Sequence, residues 1–323
     1  MLYLDKTDID KMGIEWAALI SVIEAAAASI ESKDYAQPLK PYLRFGDSRN
    51  RIIAMPAYIG GDHAAAGIKW VSSFPGNVDK GLPRAHSMLI LNNTQTGEPH
   101  AVINTALLST IRTVAITGAF VKSYHDYKPL QAAKVGLIGL GPIGESHYHW
   151  LRECYQQEIE QINVFDINRQ ASIRFKEKYA ADERIVIADK WEEAYENCDI
   201  VITCTVASKP YIHTRPKAGS LHLNISLRDY GSEFYDRNHT VIIVDDWDEV
   251  CREGTSVELM HHESNLQKEE VYTLADVICN KRLTQLPPQT TLHFNPMGMG
   301  VFDIAIGNYY LDKAVLQGVG VKL

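Results

Sequence analysis

Several features that this sequence lacks limit what the protein can be. No apolar run approaches the roughly 18 residues needed to cross a bilayer, and the N-terminal MLYLDKTDID has no basic region followed by an apolar one. The five cysteines are scattered and form no C-x-x-C pair, which favours free thiols over disulfides or zinc. His147 and His149 are two apart on a predicted helix and make a poor metal pair. We expect a cytoplasmic protein without a metal.

The sequence also has fewer basic than acidic residues. The chain has 32 Lys and Arg against 40 Asp and Glu, for a net charge of −8, which argues against nucleic acid or an anionic membrane as a partner. A local basic cluster nevertheless indicates a small anionic ligand, with an ordinary solvated surface as the alternative. Its members are Lys40, Arg44, Arg49, Arg51, His63 and Lys69.

A glycine motif, VGLIGLGPIG, precedes a helical pattern and an apolar run that ends at Asp166. Gly139, Gly141 and Gly144 have the spacing that turns a strand into a helix whose free N–H groups face a pyrophosphate. Asp166 is placed to bind an adenosine ribose and would repel a 2′-phosphate. We therefore predict NAD rather than NADP, although Arg169 lies nearby; a purely structural turn is the alternative.

The N-terminal part mixes helix and sheet patterns. Thr7 and Asp8 can cap a helix whose apolar residues recur from Trp16 to Ile30. Short apolar runs over residues 51–103 indicate a meandering sheet, and residues 106–124 predict a long helix.

The remainder alternates between strand and helix patterns. Strands are predicted at RIVIA, DIVITCT, LHLNIS, TVIIVDD and TLHFN, with a closing helix over residues 300–316. The predicted fold class is α/β, with a Rossmann-type doubly wound nucleotide domain and an α+β domain.

Ligands of such a sheet lie beyond the C-terminal ends of its strands. Thr205 follows one strand and Ser226 another, and Asp229 comes shortly after. An aspartate near a nicotinamide and buried apolar surface can have its pKa raised, which suits it to proton transfer. Asp229 is thus a candidate acid or base, with a loop-capping aspartate as the alternative.

Two basic residues lie in largely apolar segments. Lys69, in AAAGIKWVSS, needs a partner or a function if it is buried, unless its ammonium reaches water. Arg112, in STIRTVAITGA, could hold a carboxylate or a phosphate, unless it lies on the surface.

The chain resembles the ornithine cyclodeaminase and mu-crystallin family along nearly its whole length. The segments that carry this likeness are QPLKPYLR, RIIAMPAY, GIKW, STIRTVAITGA, GLGPIG, ITCTVASKPYI, LNIS before Asp229, and NPMGMGVFDIA. The resemblance implies a homodimer. It also implies a substrate-binding and dimerisation domain over residues 1–113 and 304–323, and an NAD-binding Rossmann domain over residues 114–303.

The resemblance further implies roles for particular residues. Asp229 and Lys69 match catalytic positions. Substrate-binding positions are matched by Lys40, Arg44, Met55, Lys69 and Arg112. Cofactor-binding positions are matched by Arg112, Thr113, Gly139, Gly141, Pro142, Ile143, Gly144, Asp166, Thr205, Ser226 and Gly298.

A narrower resemblance is to the branch of the family that makes L-2,3-diaminopropionate for siderophores. It is carried by QPLKPYLR, RIIAMP, GIKW, VITCTV, NIS, IIVDDW and NPMGM. It implies NAD-dependent oxidative hydrolysis of a tricarboxylic secondary amine that joins glutamate to diaminopropionate, releasing 2-oxoglutarate and NADH. The alternatives are a cyclodeaminase-like, imine reductase or amino-acid dehydrogenase activity, and a non-catalytic binder. Cyclodeaminases have glycine just before the catalytic aspartate, where this chain has Arg228.

Overall fold

The computed structural model describes residues 1–47, 49–62 and 64–323, so His63 of the basic cluster lies outside the described residues. The chain forms two compact units. Unit 1 comprises Met1–Ala119 with Gly298–Leu323, and unit 2 comprises Phe120–Met297. These bounds differ by a few residues from the predicted domains. The boundary between Ala119 and Phe120 lies inside helix α3 (Leu107–Tyr127). No turn in the sequence therefore marks the position of this boundary.

Unit 1 is built on a mostly antiparallel sheet. Its described strands are β1 (Leu2–Asp5), β2 (Tyr35–Ala36), β3 (Tyr42–Arg44), β4 (Arg51–Ile59), β5 (Ala65–Ser73), β6 (Ala85–Asn92), β7 (Pro99–Asn104) and β16 (Val321–Lys322). They lie in the order β16-β1-β7-β6-β5-β4-β2, and β3 also pairs with β4. The predicted strand RIIAMPAYI coincides with β4. Its Pro56 opposes Ile68 of β5 in the ladder.

The helices of unit 1 include α1 (Lys6–Met12), α2 (Trp16–Glu31), the first part of α3, and α9 (Gly300–Gln317). Helix α9 packs on β4, β5 and β6, and α2 packs on α9. The predicted N-terminal helix is two helices, because the chain turns at Gly13 with φ +76. The cap of α1 was also predicted wrongly: the Asp5 side chain accepts from the N–H groups of Thr7 and Asp8.

Among the described residues, no single helix is long and apolar enough to span a membrane. Within the same residues, α1 and α2 are long and apolar enough only when they are counted as one segment, and the chain bends by 107° between them.

Unit 2 is built on a parallel sheet. Its described strands are β8 (Ala133–Ile138), β9 (Ile159–Phe165), β10 (Ile185–Ile187), β11 (Ile200–Thr203), β12 (Leu221–Asn224), β13 (Thr240–Val244), β14 (Tyr272–Thr273) and β15 (Thr291–Asn295). Their order is β10-β9-β8-β11-β12-β15-β13-β14, and neighbouring strands among those described pair in parallel. The central strands are buried along their length, as expected for a sheet covered on both faces.

The helices of unit 2 include α4 (Pro142–Cys154), α5 (Arg169–Lys178), α6 (Trp247–Val250), α7 (Ser256–Ser264) and α8 (Leu274–Ile278). The strand order reverses between β8 and β11, which is where doubly wound sheets bind ligands. The predicted fold class is confirmed.

Candidate active site

The glycine loop between β8 and α4 fits a dinucleotide. Gly139 has φ +93, and a Cβ there would lie 2.6 Å from the carbonyl oxygen of Cys204. A Cβ on Gly144 would lie 2.0 Å from the carbonyl oxygen of Gly139, whereas one on Gly141 would have no atom within 4 Å. Gly141 caps α4 without a side-chain hydrogen bond. The start of α4 thus has open space and backbone N–H groups for an anion, with Pro142 and Ile143 in its first turn.

Asp166 is held against this loop. Its Oδ2 accepts a hydrogen bond from the N–H of Leu140 (2.9 Å), and its Oδ1 accepts one from the N–H of Asn168 (2.9 Å). The carboxylate therefore lies beside the glycine loop, where a ribose would bind. Arg169, a cation that could favour a 2′-phosphate, instead forms a surface ion pair with Asp189.

Asp229 is fully buried at the carboxyl end of the unit 2 sheet. Its two carboxyl oxygens accept hydrogen bonds from the hydroxyls of Thr205 and Ser226. Burial raises the pKa of the Asp229 carboxyl, and the hydrogen bonds from Thr205 and Thr203 oppose that rise. Such a carboxyl can exchange a proton closer to neutral pH than an exposed aspartate. Thr205 and Ser226 were predicted to bind the cofactor. In the structure, their hydroxyls donate hydrogen bonds to Asp229 and hold its carboxyl in place.

Three predicted basic residues are buried in unit 1: Lys40 is 5% exposed, Lys69 4% and Arg112 7%. Lys69 Nζ donates to Ser109 Oγ (2.7 Å) and to Asp303 Oδ1 (2.8 Å). Arg112 Nε donates to the same oxygen of Asp303 (3.1 Å). The structure thus brings Lys69 and Arg112 together, and neither reaches bulk water as the alternative reading of the sequence allowed.

Asp303, on α9, was missed by the sequence analysis. It is 1% exposed. Burial alone would raise the pKa of its carboxyl, but Arg112 and Lys69 lower it below its usual value. Burial in turn lowers the pKa of the Lys69 ammonium to about 8. The available signal was an acid inside the apolar run VFDIAIG, since a buried charge requires a partner.

Gly298 lies beside these cations, although it was predicted as a cofactor residue. Its carbonyl oxygen accepts a hydrogen bond from Lys40 Nζ (2.9 Å). Its φ is +87, and a Cβ would lie 2.4 Å from Arg112 Nη1. Only glycine therefore allows the guanidinium to approach so closely.

The other predicted residues of unit 1 are placed as follows. Met55 is buried and pairs with Lys69 in the β4–β5 ladder. Thr113 Oγ1 donates to the carbonyl oxygen of Ser109, one turn back in α3 (2.9 Å). Arg44 lies on β3, where it is exposed and its guanidinium lies 5.4 Å from the ring centre of Tyr42.

The family model described as the ornithine cyclodeaminase/mu-crystallin family matches residues 6–317. The chain is 32% identical to the N-((2S)-2-amino-2-carboxyethyl)-L-glutamate dehydrogenase of Staphylococcus aureus, over 100% of this chain and 98% of that protein. It is 30% identical to the alanine dehydrogenase of Archaeoglobus fulgidus, over 96% of each. Among solved structures, an archaeal alanine dehydrogenase dimer with bound NAD has a TM-score of 0.85 at 24% identity, covering 100% of this chain and 98% of that one.

The chain therefore belongs to the ornithine cyclodeaminase/mu-crystallin family. Its relatives include dehydrogenases and reductases of amino acids and their imines. The predictions of the family, of an NAD-dependent oxidoreductase and of the cofactor are confirmed.

Proposed function

We propose that the protein catalyses NAD-dependent oxidative hydrolysis of N-((2S)-2-amino-2-carboxyethyl)-L-glutamate. The products are L-2,3-diaminopropionate, 2-oxoglutarate, NADH and a proton. The relative from Staphylococcus aureus carries the name of this reaction. A role for the product in siderophore formation rests on that resemblance alone.

The single observation that carries the proposal is the buried pair of Lys69 and Arg112, which share one carboxylate oxygen. Lys69 has two acceptors among the described residues, so one of its three N–H bonds remains for a ligand. Among the described residues, Arg112 forms hydrogen bonds through Nε and through no other nitrogen. Two positive charges beside one negative charge, with donors left over, fit a substrate carboxylate. Lys40 adds a third positive charge near Lys69, which suits a substrate with several carboxylates.

The nucleotide would be held by the glycine loop and by Asp166. When bound, NAD supplies the acceptor for the hydride that leaves the glutamate α-carbon. Asp229 accepts the proton that the amine nitrogen loses as the imine forms and releases it to solvent, and later accepts one from the water that attacks the imine carbon and passes it to the nitrogen. The carbon–nitrogen bond then breaks as the new hydroxyl becomes the carbonyl of 2-oxoglutarate, and the hydroxyl proton goes to the leaving amine. Lys69 and Arg112 hold the carboxylates and thereby orient the reacting carbon.

The test uses purified protein with NAD and a panel of amines: the tricarboxylic amine, L-alanine, L-proline and L-ornithine. We expect NADH absorbance with the tricarboxylic amine, and 2-oxoglutarate and L-2,3-diaminopropionate by mass spectrometry. NADH formed from L-alanine or L-proline, and none from the tricarboxylic amine, would overturn the proposal.

The second candidate is an amino-acid dehydrogenase, which the identity to the archaeal alanine dehydrogenase favours. In that case L-alanine would give NADH and pyruvate. A cyclodeaminase would convert L-ornithine without accumulating NADH, and a non-catalytic binder would bind NAD and convert none of the amines.

We also propose a homodimer formed through the sheet face of unit 1 that is turned away from α9. Lys69 and its β6 partner Leu89 face α9, because Lys69 bonds to Asp303 and a Cβ on Gly307 would meet Leu89. The alternating residues Trp70 and Met88 therefore face the other way. They oppose each other in the ladder and are 45% and 37% exposed. Such an apolar face favours a second copy of the chain as its occupant.

A further inference from the structure

Three neighbouring strands of unit 2 end in polar residues that are completely buried. They are Thr203 of β11, Asn224 of β12 and Asn295 of β15, and each is 0% exposed. Thr203 opposes Asn224 in the ladder, and the β12–β15 register places Asn224 beside Asn295. The residues that flank this row are apolar, Ile138 of β8 and Val244 of β13. Buried parallel strands are normally apolar throughout, so two buried asparagines here indicate a specific role.

The hydrogen bonds of these two asparagines, the amide row, run in one direction. Asn295 Nδ2 donates to the backbone carbonyl oxygen of His293 (3.0 Å), a group that can only accept. Asn295 Oδ1 therefore faces Asn224 and accepts from its Nδ2 (2.8 Å). Asn224 Oδ1 in turn faces Thr203, whose hydroxyl donates to it (3.3 Å). A fixed carbonyl at one end thus sets the orientation of both amides and of the hydroxyl at the other end.

The Thr203 hydroxyl is also within reach of Asp229. Ser226 Oγ contacts both residues, because it lies 3.4 Å from Thr203 Oγ1 and donates to the Asp229 carboxyl. A hydrogen bond from Thr203 itself lowers the pKa of that carboxyl. The Thr203 hydroxyl has one proton, so Asn224 and Asp229 compete for it. Donation to Asn224 leaves fewer donors for the charged form of Asp229 and makes the carboxylate a stronger base.

The backbone around Asp229 is held by hydrogen bonds that do not involve the amide row. The carbonyl oxygen of Asp229 accepts from the N–H groups of Tyr211 (3.0 Å) and Ile212 (2.9 Å). Two residues earlier, the carbonyl oxygen of Leu227 accepts from the N–H of Ser256 (2.7 Å). A change in the amide row therefore alters the hydrogen bonds of the carboxyl more than the place of the residue.

We propose that Asn224 and Asn295 are positioning residues for Asp229. They hold the Thr203 hydroxyl on the asparagine side and leave Thr205 and Ser226 as the hydroxyl donors of the Asp229 carboxyl. This inference deepens the proposed function, since it rests on the role of Asp229 as the proton acceptor. It does not depend on which amine is oxidised.

Other ionisable groups lie close to Asp229 or to the amide row. Arg228 acts on Asp229 by its charge and remains protonated at every pH of interest. Burial raises the pKa of three acidic groups and lowers that of one imidazole, so that all four are neutral near neutral pH: Cys204, Tyr211, Tyr230 and His293. Substitutions in the amide row alter none of these groups.

The test removes both amides together. Asn224→Leu/Asn295→Leu replaces two bonded partners by apolar side chains of similar size, which a buried site tolerates better than the loss of one partner. The pH dependence of kcat/KM is measured with whichever amine of the panel gives NADH. kcat/KM falls at low pH as Asp229 takes up a proton. In the double variant the Thr203 hydroxyl is free to bind the carboxylate, so this acidic decline should move to lower pH by about one unit.

Two further variants show whether the shift arises through Thr203. Thr203→Val removes the hydroxyl, so adding the double substitution to it should move the acidic decline no further. Asn163→Leu is the matched control: Asn163 of β9 is 8% exposed and bonds to Gln161 and Cys198, and its loss should leave the decline in place. An unshifted decline in the double variant, or a shift that persists without the Thr203 hydroxyl, would overturn the inference.

An infrared titration separates this inference from the proposed function. The spectrum of each protein minus that of its own Asp229→Asn variant isolates the band of the protonated Asp229 carboxyl, and no substrate is present. The midpoint of this band should lie at lower pH in Asn224→Leu/Asn295→Leu than in the wild-type protein. Equal midpoints would overturn the inference whichever reaction is catalysed. A lower midpoint in a protein that oxidises none of the amines would support the inference while the proposed function fails.

Discussion

Asp229 is the residue on which proton transfer depends in the proposed reaction. Asp229→Asn keeps the side chain's shape but cannot take up a proton, so turnover should fall by roughly 10²-fold or more. The affinity for NAD, measured by fluorescence titration, should be nearly unchanged. Asp236→Asn removes a partly exposed aspartate of the same unit and should leave turnover unchanged. A fully active Asp229→Asn variant would exclude Asp229 from the mechanism.

Lys69 gives the reaction a predicted pH dependence. Its pKa is lowered to about 8, mainly by burial, so the ammonium is charged below that pH and neutral above it. A carboxylate binds to the charged form; kcat/KM should therefore decline as the pH rises through about 8. Lys69→Arg retains its charge over this range, and whatever activity it keeps should lack this decline. If kcat/KM of the arginine variant still declines above about pH 8, the decline is caused by the titration of a group other than Lys69.

Asp303 balances charge inside unit 1. Asp303→Asn removes the only carboxylate bonded to Lys69 and Arg112 among the described residues, and leaves two buried cations without a counter-charge. Loss of one partner from a buried ion pair costs about 3–5 kcal/mol. Urea unfolding should show a loss of this order. Asp312→Asn, an exposed substitution on the same helix, should change the unfolding free energy by less than about 0.5 kcal/mol.

At the scale of elements, the glycine loop offers a matched pair of substitutions. A Cβ on Gly141 meets no protein atom within 4 Å, so Gly141→Ala should fold normally and weaken NAD binding by roughly tenfold or more, because the added methyl group would meet only the ligand. A Cβ on Gly144 would clash with the backbone of Gly139, so Gly144→Ala should lower the melting temperature. Normal NAD affinity in Gly141→Ala would mean that the pyrophosphate lies elsewhere.

Elements with a strong local pattern are those that the sequence predicted well. Strand β15 coincides with TLHFN, and α9 ends one residue beyond the predicted helix. In contrast, β1 and β16 were missed. Leu2 pairs with Lys322 at the other end of the chain, and strands of four and two residues are too short to show a periodicity.

The candidate site also contains residues that the sequence could identify and residues that it could not. The glycine loop and Asp166 are close in sequence, and a local motif with a physical mechanism identifies them. Lys69 and Asp303 are 234 residues apart, so no spacing rule connects them. The apolar surroundings of each charge predicted that it needed a partner, but only the packing of α9 on β5 identifies which one.

At the scale of the whole molecule, the exposed face of the unit 1 sheet predicts the oligomeric state. Trp70, Met88 and Leu43 are all partly or largely exposed, and they lie on the same side of the sheet, because Leu43 opposes Ile52 and Trp70 opposes Ala54. Burying such a face stabilises a dimer through the apolar area removed from water. A charged side chain in its centre would have to be desolvated and should prevent association.

Trp70→Lys/Met88→Lys should therefore convert a dimer into a monomer, measured by size-exclusion chromatography with light scattering at micromolar concentration. Both side chains lie opposite the face that packs on α9, so the monomer should keep its circular dichroism spectrum and bind NAD as the wild-type protein does. Val186→Lys alters an apolar residue of unit 2 that is also 45% exposed, and it should remain dimeric. A wild-type monomer, or a dimer that survives the double substitution, would contradict this face as the interface.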